Sequence, residues 1–275
     1  MPPQAVQPAN GALSEVRIAP WQPAAEVAES LGLSMAVFGY PGSGKTTFGA
    51  IPGTLVIDFE SGSEVLADRT DVSIWPRRDP NTGKIPKVTW DDFMALDRQL
   101  RSGNHPFKNL EFDTLTKAQS LTLSKVMKSS PTPEMPSQPE YGRSNQMLLD
   151  VIEGWCAIAK ETGVHVIFNV HAAEVVDESS NSVLIRMSLT PGVIKGLIAS
   201  VSAIGYLAEG QADKNGVAKR RLLLHNTSKV VAKYRQPRSG PQLPLELDDP
   251  SLQAILSHRE QARSELKKTL SVGTR

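Results

Sequence analysis

The octet Gly39-Tyr40-Pro41-Gly42-Ser43-Gly44-Lys45-Thr46 satisfies the pattern G-x-x-x-x-G-K-[ST], residue types and spacing that can hold a phosphate chain. Its glycines let the backbone wrap an anion with N–H groups turned inward, and a helix starting at its end would add partial positive charge. Lys45 supplies a point charge for the β- and γ-phosphates, and the Thr46 hydroxyl is suited to ligate Mg²⁺. With Thr47 added, Gly39 to Thr47 is the expected contact surface for Mg·ATP or a similar nucleotide. Such a site also needs a carboxylate at the end of a neighbouring strand. Asp113, closing Leu110-Glu111-Phe112-Asp113, is placed to hold Mg²⁺ through water, although Glu111 interrupts the apolar approach.

The elements that must position these residues follow from apolar periodicity. LSMAVFG is an apolar run of strand length ending in the glycine-rich turn, and the P-loop motif requires that strand-to-helix context. TLVIDFE reads as a buried strand, VTWDDFMALDRQL as a capped amphipathic helix and LEFDTLT as a further strand. AQSLTLSKVMK and SNQMLLDVIEGWCAIAKETG have helical spacing, the second stopping at Gly163, and VHVIFNVH returns to strand. This alternation predicts an α/β protein with a doubly wound, mostly parallel sheet. SVSAIGYLAEG and RRLLLHNTS, joined by a turn-rich segment, predict antiparallel edge strands.

The ends differ in character. Residues 1–23 are rich in Pro, Ala, Gln and Asn without periodicity and read as a flexible arm, followed by a short helix over Ala24 to Leu31. Residues 24–248 are the expected ATPase domain, and 249–275 a charged helix or tail, with Ser251 as N-cap of a surface or partner helix.

Thirty basic against 29 acidic residues give a formal net charge of +1 over 275 residues, so any nucleic-acid contact must come from a local basic patch. No run approaches the roughly 18 to 20 apolar residues of a membrane span. A cytoplasmic protein without membrane contact is expected. The lone Cys156, in an apolar-periodic run, makes disulfide and zinc frameworks untenable and is expected as a buried structural thiol.

In these features the chain resembles the RecA-like P-loop ATPases, particularly the phage-encoded nucleotide-binding proteins associated with single-strand annealing and recombination. The resemblance runs from about Leu33 to Pro237 and rests on the P-loop, LVIDFESG, LEFDTLT and VIFNVH in that order. It implies that Glu60, at the end of the second strand, polarises the attacking water, with Asp58 the rival. It implies that His171, ending the fourth strand, reports the γ-phosphate to a DNA-binding loop, where many relatives use glutamine. It also implies a homo-oligomer, ring or filament, in which a basic residue completes the neighbour's site. Lys229, Lys233 and Arg235 are the candidates, Lys233 and Arg235 favoured.

Two segments match the loops that face DNA in that family: Met127 to Arg143, with four prolines, and Ala172 to about Pro191. Lys125, Lys128, Arg143 and Arg186 could pair with phosphates and Tyr141 could stack on a base, the combination used by single-strand binders. The expected function is DNA-stimulated ATP hydrolysis on single-stranded DNA. The same P-loop core also serves small-molecule kinases, motors and nucleotide-dependent switches.

Overall fold

The computed structural model describes residues 32–130, 135–177, 181–212, 218–235 and 242–272; the expected arm and the Ala24–Leu31 helix lie outside these. Strand β1 (Ser34–Gly39) sits at the centre, flanked in parallel by β5 (His165–Asp177) and β7 (Ala203–Ala212). Beyond β5 come β4 (Asn109–Asp113), β2 (Thr54–Asp58) and β3 (Ser73–Trp75), all parallel. Beyond β7 come β8 (Ala218–Leu223) and β10 (Glu246–Asp248), both antiparallel, while β9 (Lys233–Tyr234) pairs with the start of β7. The expected parallel sheet with an antiparallel edge is therefore present.

Strand alternation assigns each residue a face. Ala36 and Phe38, Leu55 and Ile57, Leu110 and Phe112, and Val166, Phe168 and Val170 share one core with Trp90, Phe93, Leu115, Leu148, Trp155 and Cys156. That core is built with α2 (Trp90–Arg101), α3 (Leu115–Met127), α4 (Gln138–Thr162) and α5 (Pro191–Ser200). The opposite face carries Met35, Val37 and Ile167 and packs Phe48 of the short α1 (Lys45–Gly49). It also packs Leu252, Ile255 and Leu256 of α6 (Leu252–Val272), so the first turns of the expected surface helix are core, with Ser251 Oγ accepting from Ala254 N–H as its cap. Cys156 is buried as expected.

Several boundaries differ from the sequence reading. The LEFDTLT strand ends at Asp113, because the Thr114 side chain accepts the Lys117 N–H and starts α3. The stretch expected as a proline-rich loop up to Arg143 becomes helix from Gln138, where Glu140 accepts the Ser137 N–H across 2.6 Å. The expected loop after His171 is instead a hairpin: β5 runs on past the sheet as far as Asp177 and pairs antiparallel with β6 (Ser182–Met187). Helix α5 and the short strands β3 and β10 carry too little periodicity to stand out.

Helix α4 has 25 residues, about 37 Å at ~1.5 Å each, against about 20 Å for a six-residue strand. Its last turns must reach the bottom of β5, so its first turns extend above the strand C-terminal ends. There it runs beside α3, fastened by Thr122 to Ser144 at 2.7 Å and Gln119 to Asn145 at 3.1 Å. A helical pair and a β-hairpin thus rise from the edge of the sheet where β1 delivers the glycine-rich loop.

Candidate nucleotide site

Gly42 and Gly44 take φ values of 82° and 88°, the left-handed region that L side chains avoid, so these two glycines give the loop its path. Gly39 is fixed by crowding: a Cβ there would lie 2.5 Å from Ser43 Oγ. Lys45 turns its ammonium back onto the loop, donating to the Gly39 and Tyr40 carbonyls at 3.0 and 2.9 Å. Burial pushes its pKa down, while the charges of Asp113 and Glu60 hold it up. The Thr46 hydroxyl donates to Asp113 Oδ2 at 2.6 Å, bringing the two expected Mg²⁺ contacts together.

Glu111, Asp113 and Asn169 lie on the sheet face beneath α1, opposite the aromatic core. Asn169 Nδ2 donates to Glu111 Oε1 at 2.6 Å and to Asp113 Oδ1 at 3.2 Å. A Cβ at Gly49 would sit 2.5 Å from the Glu111 carboxyl carbon, so that glycine exists to let α1 close over the glutamate. Glu111 therefore does not weaken the strand that carries Asp113. It is a fully buried carboxyl whose pKa is pushed well up, by desolvation first and by Asp113 next. Burial also raises the Asp113 pKa against hydrogen bonds from Thr46 and Asn169.

The same alternation brings Glu60 and His171 to this face. His171 Nε2 lies 2.9 and 3.1 Å from the two Glu60 oxygens, and Thr114 Oγ1 donates to Glu60 Oε1 at 2.5 Å. The His171 bond, offset by partial burial and helped by Thr114, holds the Glu60 carboxyl below its ordinary pKa, so it is ionised at neutral pH. Asp58 is otherwise engaged. Its carboxylate accepts the backbone N–H groups of Glu60, Gly62 and Ser63 at 2.9, 3.3 and 3.0 Å, a turn-forming role, whereas the Glu60 carboxylate faces His171 and Thr114.

Tyr40 extends the site toward the hairpin, donating to Glu174 Oε1 at 3.0 Å, and burial with this bond raises its pKa to about 12. Sequence reasoning missed that contact, and also Arg220, whose guanidinium donates to Thr47 Oγ1 at 2.8 Å. An arginine on a turn-flanked strand gave no signal that β8 would carry it to the loop.

The other expected residues are not gathered here. Lys233 donates to the Ile198 carbonyl and Arg235 to that of Ala199 at 3.4 Å, so both cap the end of α5. They stand beside Ala203 and Ile204, at the end of β7 remote from the P-loop of their own chain. Lys229 is exposed next to the hairpin, its carbonyl accepting the Ile185 N–H at 2.9 Å. Lys125 on α3 pairs with Asp91 at 2.7 Å; Lys128 caps α3; Tyr141 and Arg143 are exposed on α4; Arg186 is exposed on β6. Tyr141 and Arg143 thus occupy a helix and Arg186 a strand rather than loops, and all five stand on the two features that rise above the P-loop edge.

The residues fit a Mg·nucleotide. Ser43 Oγ is buried without a hydrogen-bond partner inside the loop, and Lys45 spends its ammonium on carbonyls in the place of phosphate oxygens. The Thr46 hydroxyl and the Asp113 carboxylate are oxygen donors of the kind Mg²⁺ takes together with phosphates and water. Fold and site together define a P-loop nucleoside-triphosphatase. A sequence model of the AAA-domain family matches residues 31–236, and the chain belongs to that family. No curated protein matches it. Among the described residues no helix is long and apolar enough to cross a membrane.

Proposed function

We propose that the chain is a RecA-like ATPase that hydrolyses ATP and works on single-stranded DNA in recombination, annealing or repair. The observation that carries this reading is β5. One strand bears Asn169 against Asp113, then His171 against Glu60, and then continues without a break into the raised hairpin. A change at the γ-phosphate that moves His171 has a direct covalent and ladder-bonded path to a surface beside Arg186.

In the reaction, Lys45 leaves its loop carbonyls to meet the β- and γ-phosphates, and Gly42 to Thr47 present backbone N–H groups to the phosphate chain. Mg²⁺, held by Thr46 and through water by Asp113, would neutralise charge developing between the β- and γ-phosphates. Glu60, ionised, accepts the proton of the attacking water at Oε2, while Thr114 keeps Oε1 fixed. His171 then shares Glu60 with that water, so it registers whether the site is filled. An oligomer in which Lys229, Lys233 or Arg235 meets a neighbour's phosphates completes the reading; Lys229 is the one whose ammonium is exposed at the P-loop end.

ATPase rates with and without single-stranded oligonucleotide test the proposal: stimulation supports it, and equal rates together with no DNA binding at low salt would refute it. A kinase reading has one observation in its favour. A cleft of about 490 Å³ beside Asp58 and Ser61 is lined by Arg77 and Arg78, as an acceptor pocket would be. Phosphorylation of a small-molecule acceptor in place of water would select that reading.

A further inference from the structure

Arg220 and Arg221 are neighbours on β8 with different surroundings. Arg221 has carboxylate partners, Glu246 at 3.6 Å and Asp248 at 3.3 Å. Among the described residues no carboxylate pairs with the Arg220 guanidinium, whose hydrogen bond goes to the neutral Thr47 hydroxyl. It is pressed onto the phosphate loop: a Cβ at Gly44 would lie 2.5 Å from Arg220 Cζ and 2.6 Å from Nε and Nη1. This partly buried cation lies against the loop with a neutral hydroxyl as its side-chain partner among the described residues, and a phosphate oxygen is the partner its fork is shaped to take.

We infer that Arg220 is a nucleotide-binding residue of the same chain, holding the α-phosphate of the bound nucleotide. The inference rests on the reading that a nucleotide occupies the P-loop. The choice of phosphate follows from the order of the loop. Lys45 and Thr46 serve the β- and γ-phosphates and Mg²⁺. Thr47, one residue further into α1 and bonded to both Arg220 and the Gly44 carbonyl at 3.0 Å, faces the part of the nucleotide nearer the ribose. Arg220 is also held in place at its backbone. Its N–H donates to Asp249 Oδ1 at 3.3 Å and its carbonyl accepts the Asp249 N–H at 2.8 Å, while β8 is laddered to β7 and β10.

An α-phosphate contact is made equally to ATP, ADP and the transition state for γ-phosphate transfer, so it strengthens binding without speeding chemistry. Arg220→Ala should therefore weaken ATP and ADP by the same factor, about 10- to 100-fold for a charge-assisted bond, raise KM to match and leave kcat within about twofold. Arg220→Lys should recover part of the loss. Titration calorimetry with ADP and ATP, beside steady-state kinetics, reads these quantities. A further arm uses the two diastereomers of ATP bearing sulfur on the α-phosphate. Wild type should discriminate between them and Arg220→Ala should not, a signature that mere support of the loop would not move.

Should Arg220→Ala fail to fold, Arg220→Gln carries the same expectations. Unchanged ADP affinity in the variant, or a loss confined to ATP, overturns the assignment while the nucleotide reading stands. A folded wild type that binds neither ATP nor ADP overturns both.

Discussion

Lys45 and Glu60 mark the two halves of the chemistry, and their surroundings separate binding from turnover. Lys45 gives its hydrogen bonds to two carbonyls of its own loop, a contact that phosphate oxygens can replace at little cost in packing. Lys45→Ala should weaken ATP by about 100-fold or more while keeping the folded state, read by titration calorimetry beside a thermal melt. Glu60 holds no phosphate. Its oxygens are fixed by Thr114 and His171, so Glu60→Gln should bind ATP normally and lose about 10²- to 10⁴-fold in kcat. Equal turnover by Glu60→Gln and wild type would remove it from the base role. Which acidic residue ends the second strand usefully was open between Asp58 and Glu60 in the sequence, because both share one face. The folded turn gives them different partners: Asp58 binds three backbone N–H groups, and Glu60 faces His171 and Thr114.

At the scale of elements, β5 connects the site to the surface and also carries a pH-sensitive joint at its foot. His165 Nδ1 accepts the Leu33 N–H at 2.9 Å, which requires the neutral ring there. Burial, then the charges of Arg259 and Arg263, lower its pKa to about 4. The unfolded chain therefore takes up a proton that the fold excludes between its ordinary value of 6.5 and about 4. Stability from this residue is complete above that window, falls with pH through it and changes no further below. The loss is about 2 kcal/mol from pH 7 to pH 5, and His165→Gln should flatten that part of the profile in urea titrations. At the other end of the strand, His171→Ala should uncouple more than it weakens. ATP is expected to shift affinity for a labelled single-stranded oligonucleotide by about 5- to 150-fold in wild type, and the variant should lose most of that factor while still binding nucleotide. Fluorescence anisotropy with a non-hydrolysable analogue measures it. A variant that keeps the full shift would take His171 out of the relay.

For the molecule as a whole, the basic residues expected to meet DNA or a neighbouring subunit divide between two ends. The nucleotide end carries Lys229, Arg186 and the α3–α4 pair, whereas Lys233 and Arg235 cap α5 at the far end of β7. In a ring or filament one molecule's nucleotide end must meet a different surface of its neighbour. The expected outcome is ATP-analogue-dependent growth in light scattering, and loss of ATPase activity in whichever of Lys229→Ala, Lys233→Ala or Arg235→Ala removes the trans contact. A particle that stays monomeric at high concentration with undiminished ATPase activity would defeat the shared-site assignment.

What the sequence determined by itself was local. The P-loop was legible because its residues are contiguous and its turn needs glycine at set places, and β1, β2 and β4 were legible because continuous apolar runs of strand length have few other uses. Asp113 was readable as a strand end. Glu111 was readable only as an interruption of the apolar run, because alternation along one strand does not reveal which element covers each face; the fold places Glu111 under Gly49 of α1 and gives it Asn169 as a partner. The hairpin after His171 and the early start of α4 were missed, since their order comes from cross-strand and helix–helix contacts rather than from periodicity. The arrival of Arg220 at Thr47 was decided by tertiary structure alone. The two are 173 positions apart, and only the placing of β8 beside β7 and β7 beside β1 brings a cation to a loop that its own sequence neighbours never touch.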